Sequence, residues 1–267
     1  MITLPEAFEQ EMKQLLGEEE YEAYRKTFDE AVHRGLRVNN GKISTEEFLR
    51  RTDIPLKKVP WIPNGFYYDE ESCNPAKDAD YYAGLYYLQE PSAMTPASRL
   101  PIEPDDRVLD LCAAPGGKAT ELGSRIGEGG MLLANDISNS RAKALLRNLE
   151  IQGVGRLLVT SEDPEKLVTL YPAFFDKILL DAPCSGEGMF RKESSMLRYY
   201  SENGPEHYVP IQKKLIEQAY QMLAEGGELL YSTCTFSVKE NEEVIAGLLD
   251  AHPCLLYTSD AADDGER

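Results

Sequence analysis

The fold is decided by residues 107–118, which read RVLDLCAAPGGK. A short apolar run that ends in a Gly-Gly pair and continues into a helical pattern is typical of a strand–loop–helix unit. The two glycines allow backbone amides to approach a ligand, and the N-terminus of the following helix favours a negatively charged group. A Walker phosphate loop is excluded, because it requires Gly at position 112 and Ser or Thr at position 119, where this chain has Cys112 and Ala119.

Apolar runs and helical patterns alternate from this stretch to about residue 250. Further strands are predicted at 131–134, 156–160, 176–181 and 228–233, and helices are predicted at 119–126, 139–152, 210–224 and 239–250. This alternation predicts an α/β fold, in which a mostly parallel sheet carries helices on both faces. Ligands of such sheets bind outside the carboxyl ends of the strands, so the residues that follow each strand are the candidates for a functional site.

The amino-terminal part of the chain has a different pattern and predicts a small α+β domain. Two amphipathic helices separated by Gly17 are expected in the first thirty residues, the first with an apolar face of Phe8, Met12, Leu15 and Leu16. Ser44 and Glu47 form the pattern of a capping box that opens a further short helix. This domain is predicted to cover residues 1–100.

The second predicted domain covers residues 101–253 and contains the sheet. An open sheet of this type uses further strands after the helix at 239–250, so its last strands are expected to be missing. Residues 254–267 resemble a translated sequencing adapter, and they are treated as a tail of non-native character.

Composition excludes several classes of protein. Hydrophobic residues make up 42% and charged residues 28% of the 267 residues, which excludes wholesale disorder. The longest apolar runs are far shorter than the roughly 20 residues that a membrane span needs, and the N-terminus lacks the pattern of a secretory signal. The five cysteines include no CxxC pair, which argues against a disulfide framework and a zinc site and predicts a cytoplasmic protein.

The charge distribution is uneven. A net charge of −18 argues against a nucleic-acid partner at long range. Residues 32–60, however, carry seven basic side chains against three acidic ones. The segment is either a solvated surface or a local basic face; on the second interpretation, RNA phosphates are contacted by Arg34, Arg37, Lys57 and Lys58.

Acidic side chains follow the second and third predicted strands. Asp136 comes directly after the second strand, where a carboxylate accepts hydrogen bonds from both hydroxyls of a ribose. Glu162 and Asp163 follow the third strand, where an acid is suited to meet the amino group of an adenine. Each acid alone is most often a turn residue or a helix cap. Three loops at one edge of the sheet together favour a nucleoside cofactor.

Thiols follow the fourth and fifth predicted strands. The fourth strand ends in Asp181 and continues to Cys184, and Cys234 follows the fifth strand. These strands and the first are expected to be neighbours, so both thiols are predicted to face one cleft. One cysteine at a strand end is usually inert, whereas two beside an aspartate and a nucleoside site indicate thiolate chemistry. No histidine accompanies them, so no metal is predicted.

At these motifs the chain resembles the Nop/Sun family of S-adenosylmethionine-dependent RNA cytosine methyltransferases, and above all its bacterial 16S ribosomal RNA branch, the RsmF-like proteins. The matching segments are LDLCAAPGGK at 109–118, AND at 134–136, DAPCSGEG at 181–188, YSTCTF at 231–236, RGLRVN at 34–39 and YLQEPS at 87–92. The similarity covers about residues 4–253. The paired Pro-Cys and Thr-Cys motifs are highly specific, since an amino-group methyltransferase would carry Asp/Asn-Pro-Pro-Tyr after the fourth strand.

The resemblance implies a Rossmann-like methyltransferase sheet and a role for each motif. A loop around the methionine and ribose parts of S-adenosylmethionine is implied for Cys112, Ala113, Ala114, Pro115, Gly116, Gly117 and Lys118. Asp136 is expected to hold the ribose, Asp163 to lie at the adenine, and Asp181 to lie between the cofactor and the target base. Cys234 is the implied nucleophile, and Cys184 is implied to help release the product.

The implied activity is the formation of 5-methylcytosine in RNA. Ribosomal RNA, as 16S rRNA or the small ribosomal subunit, is favoured over tRNA only through the resemblance. A tRNA cytosine methyltransferase of the same family, a catalytically incompetent RNA-binding fragment and a small-molecule methyltransferase stay open. The intact cysteine pair argues against the fragment, and the basic segment 32–60 argues against the small-molecule enzyme.

Overall fold

The computed structural model describes residues 3–193 and 195–258 and begins with a helix that is interrupted at Gly17. Helix α1 covers Glu6–Lys26, and at Gly17 its backbone turns to φ 78° and ψ 165°, a conformation that glycine adopts without strain. The predicted break between two helices is thus confirmed. The expectation for Leu15 is wrong, because its side chain is half exposed while Phe8 and Met12 are buried.

A four-stranded antiparallel sheet follows α1, in the strand order β2-β3-β1-β4. Its elements are β1 (Arg34–Val38), α2 (Thr45–Arg51), β2 (Leu56–Lys58), β3 (Gly65–Tyr68), α3 (Ala79–Tyr82) and β4 (Tyr86–Leu88). Helix α2 begins as the capping pattern predicts, since the Ser44 hydroxyl accepts a hydrogen bond from the Glu47 amide. A short helix, α4 (Thr95–Arg99), leads to the second sheet.

The second sheet is parallel and has the strand order β7-β6-β5-β8-β9. Its elements are β5 (Arg107–Asp110), α5 (Gly117–Arg125), β6 (Met131–Asn135), α6 (Asn139–Gln152), β7 (Leu157–Thr160), α7 (Pro164–Leu170), β8 (Phe175–Asp181), α8 (Ser195–Glu202), α9 (Pro205–Met222), β9 (Leu223–Ser232) and α10 (Glu242–Ala251). The predicted α/β class and all five predicted strands are confirmed. Helices α7 and α8 were not predicted, and β9 begins earlier than expected because Leu223 already pairs with Phe175 across an irregularity in the ladder.

Two apolar clusters sandwich the parallel sheet. One joins β5, β6 and β8 to α7, α9 and α10, and the other joins the opposite face of the sheet to α4, α5 and α6. A third cluster packs α1 against the loop after β8 and helix α8, where Phe8 meets Phe190 edge-on at a ring separation of 5.0 Å. The helix before the first sheet is therefore fixed to the loops that follow β8.

In the described part of the chain, no helix is long and apolar enough to cross a membrane. Residues 259–267 of the predicted tail lie outside the described residues.

Candidate active site

The carboxyl ends of β5, β8 and β9 lie side by side, because these strands are neighbours in the parallel sheet. The loops that leave them carry the segment 112–118, the Asp181–Cys184 turn and the Cys234 turn. The prediction that the first, fourth and fifth strands are neighbours is therefore confirmed.

The loop after β5 is held by backbone and side-chain hydrogen bonds from β6 and α6. The Ala113 amide donates to the Asn135 carbonyl at 2.8 Å, and Arg141 and Asn148 donate to the carbonyls of Ala114 and Pro115 at 2.9 and 2.7 Å. Gly116 has a φ of +115°, which a residue with a side chain rarely adopts. The loop thus has a fixed shape with glycine where α5 begins.

The carboxylate of Asp136 lies at the end of β6 and is almost fully buried. One oxygen accepts from the Ser138 amide at 2.9 Å, and the other lies 3.2 Å from the Arg141 guanidinium. Asp163 is exposed and caps α7 by accepting from the Glu165 amide at 2.9 Å. The structure therefore gives Asp163 a local role as a helix cap, and its contact with an adenine stays a prediction.

The sequence prediction missed Asp110, the last residue of β5. Its side chain is fully buried, and neither carboxylate oxygen has a hydrogen-bond partner of normal geometry among the described residues. Burial, with the nearby Asp181 carboxylate adding to it, raises the pKa of Asp110 to about 8. An acid inside the apolar run RVLDL is the signal that points to such a group.

Lys118 and Asp181 form an ion pair beside the thiols. The ammonium lies 2.6 Å from one Asp181 oxygen, and the other oxygen accepts from the Ser232 hydroxyl at 2.8 Å. The two carboxylate oxygens are therefore oriented by donors from α5 and β9. The resemblance that implied a loop role for Lys118 did not predict this pairing with Asp181.

Cys184 and Cys234 are brought together as predicted, with 3.2 Å between their sulfur atoms. The Cys184 hydrogen bond lowers the pKa of Cys234, assisted by the Lys118 ammonium, while burial and Asp181 oppose the change. That same hydrogen bond, together with burial, raises the pKa of Cys184. The arrangement therefore favours a thiolate at Cys234 and a protonated thiol at Cys184.

Arg37 requires a correction, because its side chain is only 2% exposed and faces the second sheet's domain. Its guanidinium donates to the Gly117 carbonyl at 2.6 Å and to the Thr120 hydroxyl at 2.8 Å. Its Nε lies 2.8 Å from Glu121 as an ion pair whose N–H is not aligned with the carboxylate. No surface of this guanidinium is left for a phosphate, so the prediction that Arg37 contacts RNA is wrong.

The other predicted RNA contacts lie at the surface of the first sheet. Lys57 and Lys58 are exposed on β2, at the edge of the sheet. Arg34 is half exposed and pairs with Glu70 at 2.7 Å, which partly neutralises it. Among the residues that the structure describes, no three His, Cys, Asp or Glu side chains gather into a metal-binding group.

A parallel sheet with a glycine loop after its first strand and a buried aspartate after its second is typical of Rossmann-like folds that bind a nucleoside cofactor, and Rossmann-like methyltransferases are one class of them. The model of the 16S rRNA methyltransferase RsmB/F family matches residues 97–265, and the model of the N-terminal domain of 16S rRNA methyltransferase RsmF matches residues 4–91. The chain belongs to the RsmB/F family, whose methyl donor is S-adenosylmethionine.

Similar proteins include ribosomal RNA small subunit methyltransferase F of Erwinia tasmaniensis, 38% identical over 94% of this chain and 55% of its own length. The protein of that name from Escherichia coli O157:H7 is 35% identical over 94% of this chain and 54% of its own length. The chain thus spans about half the length of the curated relatives that it matches.

Two solved structures from Pyrococcus horikoshii share the fold. A methyltransferase homolog protein is 31% identical with a TM-score of 0.79, and the match covers 92% of this chain and 78% of that one. NSun6, solved with SFG, is 23% identical with a TM-score of 0.79, and the match covers 92% of this chain and 87% of that one.

The residues of the site fit S-adenosylmethionine. The unpartnered carboxylate of Asp110 is suited to an ammonium group, and Asp136 is suited to a ribose. A side chain at Gly116 would meet Leu145 of α6 at 3.1 Å, so glycine allows the loop to turn close against that helix. Asp110 ends β5 and Asp136 follows the neighbouring strand β6, so the two carboxylates lie at one edge of the sheet, as suits a nucleoside cofactor.

Proposed function

We propose that the chain carries the catalytic unit of an S-adenosylmethionine-dependent methyltransferase that forms 5-methylcytosine in 16S rRNA, in the cytoplasm. The observation that supports this proposal is the pair of thiols at the ends of β8 and β9, 3.2 Å apart, with opposite pKa shifts. Two thiols of unequal acidity suit a reaction in which one sulfur attacks and the other handles a proton.

Addition of the Cys234 thiolate to carbon 6 of the target cytosine is the first proposed step. The addition removes the aromaticity of the ring, and carbon 5 becomes nucleophilic, as in an enamine. In its protonated form, Asp181, oriented by Lys118 and Ser232, donates a hydrogen bond to ring nitrogen 3 and so stabilises the negative charge that develops there. Bound S-adenosylmethionine supplies the electrophilic methyl group.

Release of the product requires removal of the proton from carbon 5. Once Cys234 is bonded to carbon 6 and no longer accepts its hydrogen bond, Cys184 can lose its proton to water, and its thiolate, directly or through a water molecule, is the proposed base that takes the carbon 5 proton. The electrons of that bond restore the ring double bond, and Cys234 leaves carbon 6 as a thiolate, so the ring regains its aromaticity. The target base must leave its stack to reach the thiols. The exposed basic side chains Lys57 and Lys58 are proposed to hold the flanking RNA phosphates.

Substitution of each cysteine tests this division of roles. Cys234→Ala removes the nucleophile, so neither methylation nor a covalent protein–RNA species is expected. Cys184→Ala leaves attack and methyl transfer possible but blocks elimination, so a methylated adduct is expected to accumulate as a denaturant-resistant band. The measurement combines methyl incorporation from labelled cofactor into small-subunit RNA with denaturing electrophoresis.

The matched control is Cys73→Ala, which removes a thiol in the first domain and is expected to leave both readouts at the parent level. An adduct in Cys234→Ala, with none in Cys184→Ala, would show that the two roles are reversed. Normal methylation in both variants would show that the thiols are ordinary packing residues and would refute the proposed mechanism.

A further inference from the structure

We infer that Glu240 is a positioning residue, a buried carboxylate that sets the relative placement of Cys184 and Cys234 by tying together the two loops that carry them. The inference rests on the proposed function of the thiols, because it assigns Glu240 a part in the same reaction.

Glu240 lies between β9 and α10, and its side chain is fully buried. One carboxylate oxygen accepts from the Ser185 amide and from the Gln212 side-chain amide, each at 2.9 Å. The other oxygen accepts from the Ser185 hydroxyl at 2.5 Å. Three hydrogen bonds therefore hold the residue that directly follows Cys184 and the helix that packs beneath it.

The loop of Cys234 is tied to the same group. The hydroxyls of Ser185 and Thr235, each the residue that directly follows a thiol, lie 2.9 Å apart. The Tyr231 hydroxyl, three residues before Cys234, donates to the backbone carbonyl of Glu240 at 2.7 Å. Each thiol-bearing loop thus reaches Glu240 directly or through one further hydrogen bond.

The chemistry of Glu240 favours positioning over simple packing. Burying a carboxylate is unfavourable unless its oxygens are hydrogen-bonded, and the donors named above are all neutral. An apolar side chain would fill the same space without that requirement. A carboxylate instead provides two acceptors in fixed directions, which is what holding two separate loops in register requires.

The placement of the two loops determines the distances at the sulfur atoms. The two are 3.2 Å apart, and the Cys234 amide also lies 3.4 Å from the Cys184 sulfur. Both contacts depend on the relative placement of the two loops, so a shift of one loop by about an ångström breaks them. Shifts of that size at a reacting centre lower the reaction rate by up to about a hundredfold.

The test is Glu240→Ala in this chain, with the rate of disulfide formation between Cys184 and Cys234 as the first readout. Diamide, a diazene oxidant, accepts the two protons and two electrons that leave the thiols as the sulfur–sulfur bond forms, and peptide mapping identifies the linked pair. We expect about a tenfold slower linkage and a similar loss of methyl transfer, because the thiols no longer meet. The affinity for S-adenosylmethionine is expected to stay at the parent value.

Glu240→Gln is the conservative variant. Its carbonyl oxygen still accepts from the amides of Ser185 and Gln212, while its NH2 group donates to the Ser185 hydroxyl, which then donates to Thr235. We therefore expect disulfide formation and methyl transfer to be restored to near the parent rates. A Gln variant as slow as Glu240→Ala would overturn the assignment of hydrogen-bond geometry as the cause.

Two further variants separate positioning from stability. Leu248→Ala removes a buried side chain from α10 away from the thiols, and it is expected to lower the melting temperature without slowing disulfide formation. Ser185→Ala removes only the hydroxyl that joins Glu240 to Thr235, and it is expected to slow the linkage even if Glu240→Ala fails to fold.

The outcomes distinguish the inference from the function on which it rests. The inference is overturned if Glu240→Ala forms the disulfide between the two thiols at the parent rate. If Glu240→Ala does not fold, the same result in Ser185→Ala overturns it. Slowing of disulfide formation in Leu248→Ala as large as that in the Glu240 or Ser185 variant also overturns it. A slow linkage in the Glu240 or Ser185 variants supports it, whether or not RNA is methylated. If the parent chain links its thiols rapidly but forms no 5-methylcytosine in RNA, the proposed function fails and the positioning role stands.

Discussion

The two thiols of the proposed active site differ in acidity because of their surroundings and not because of their chemistry as isolated groups. Cys234 accepts a hydrogen bond from Cys184 and lies within the field of the Lys118 ammonium, both of which favour its anionic form. Cys184 is more deeply buried and gives up its proton less readily. This difference in acidity depends on how the loops of Cys184 and Cys234 are placed. Glu240, which lies outside both cysteine motifs, therefore affects it by holding those loops.

Asp110 makes stability depend on pH. Because its folded pKa is raised from 3.8 to about 8, its contribution to stability is fully present below pH 3.8 and is lost as pH rises towards about 8. Asp110→Asn keeps a neutral side chain at every pH. We therefore expect the variant to gain stability relative to the parent as pH rises from about 4 to about 9, at up to about 1.4 kcal/mol for each pKa unit. Melting temperatures measured across this range test the prediction.

Glu128→Gln is the control, because Glu128 is exposed and its substitution is expected to leave the pH profile unchanged. Saturating S-adenosylmethionine is expected to shrink the difference between Asp110→Asn and the parent, since an ammonium group favours the ionised carboxylate. If the melting temperatures of the parent and of Asp110→Asn change with pH in parallel, the raised pKa of Asp110 is contradicted.

At the scale of elements, β2 supplies the exposed basic edge of the first sheet. Lys57 pairs in register with Tyr67 and Lys58 with Phe66, so the two side chains start from opposite faces of a three-residue edge strand. Both are exposed and neither is engaged by an ion pair among the described residues. We therefore expect these lysines, more than Arg34, to contact RNA phosphates.

The double substitution Lys57→Ala/Lys58→Ala is predicted to weaken RNA binding and to reduce the slope of log affinity against log salt by about 1.5, as expected for two lost phosphate contacts. Filter binding over a salt series measures both quantities. Lys143→Ala/Arg147→Ala, on the exposed side of α6, provides a control with the same loss of charge. An equal effect of the two double variants would show that total charge, and not the β2 edge, determines RNA affinity.

Strands of the parallel sheet were predictable because they are buried on both faces and therefore read as continuous apolar runs, as in LL at 132–133. The first sheet was not resolved into strands, since β2 and β4 have three residues each and carry no such pattern. The thiols were predictable from their motifs. Glu240 was not, because its partners Ser185 and Gln212 lie far away in sequence, whereas Asp110 was marked only by its place as an acid inside an apolar run.

Arg34 and Arg37 show the same limit within a single strand. Their spacing of three places them on opposite faces of β1, and the sequence does not tell which face packs on a second domain. Arg34 is half exposed beside Glu70, whereas Arg37 is buried against α5. The net basic charge of a segment therefore does not show which of its basic side chains are exposed. That depends on which face of the strand packs against the second domain.

At the scale of the whole molecule, buried polar groups join the two sheets. Beyond Arg37, Asn39 donates to the Gln152 carbonyl at 2.8 Å, Asn64 to Glu121 at 3.2 Å, and Gln152 to the Tyr86 carbonyl at 3.1 Å. These contacts join strands of the first sheet and their flanking loops to α5 and α6, the helices next to the proposed cofactor loop at 112–118. The first domain therefore supports the site's loop directly, through the Gly117 carbonyl.

Arg37→Met is predicted to uncouple the two domains. It removes one partner of the buried Glu121 carboxylate, which keeps Arg125 at 3.7 Å and the Asn64 amide at 3.2 Å, so the expected cost lies below the about 3–5 kcal/mol of a fully broken buried ion pair. The only tryptophan, Trp61, lies in the first domain and reports its unfolding by fluorescence, while circular dichroism reports the whole chain. In the parent we expect both signals to change at one urea concentration; in Arg37→Met we expect the fluorescence transition to come first.

The control is Arg34→Met, which removes an exposed ion pair and is expected to cost less than about 1 kcal/mol with coincident transitions. The double variant Arg37→Met/Glu121→Gln removes both charges, so it is expected to be more stable than Arg37→Met alone. Because Arg37 also holds Gly117, S-adenosylmethionine affinity is expected to fall with Arg37→Met and not with Arg34→Met. Coincident transitions and unchanged affinity in Arg37→Met would show that the apolar contacts of α1 with Phe190, and not the polar interface, join the domains.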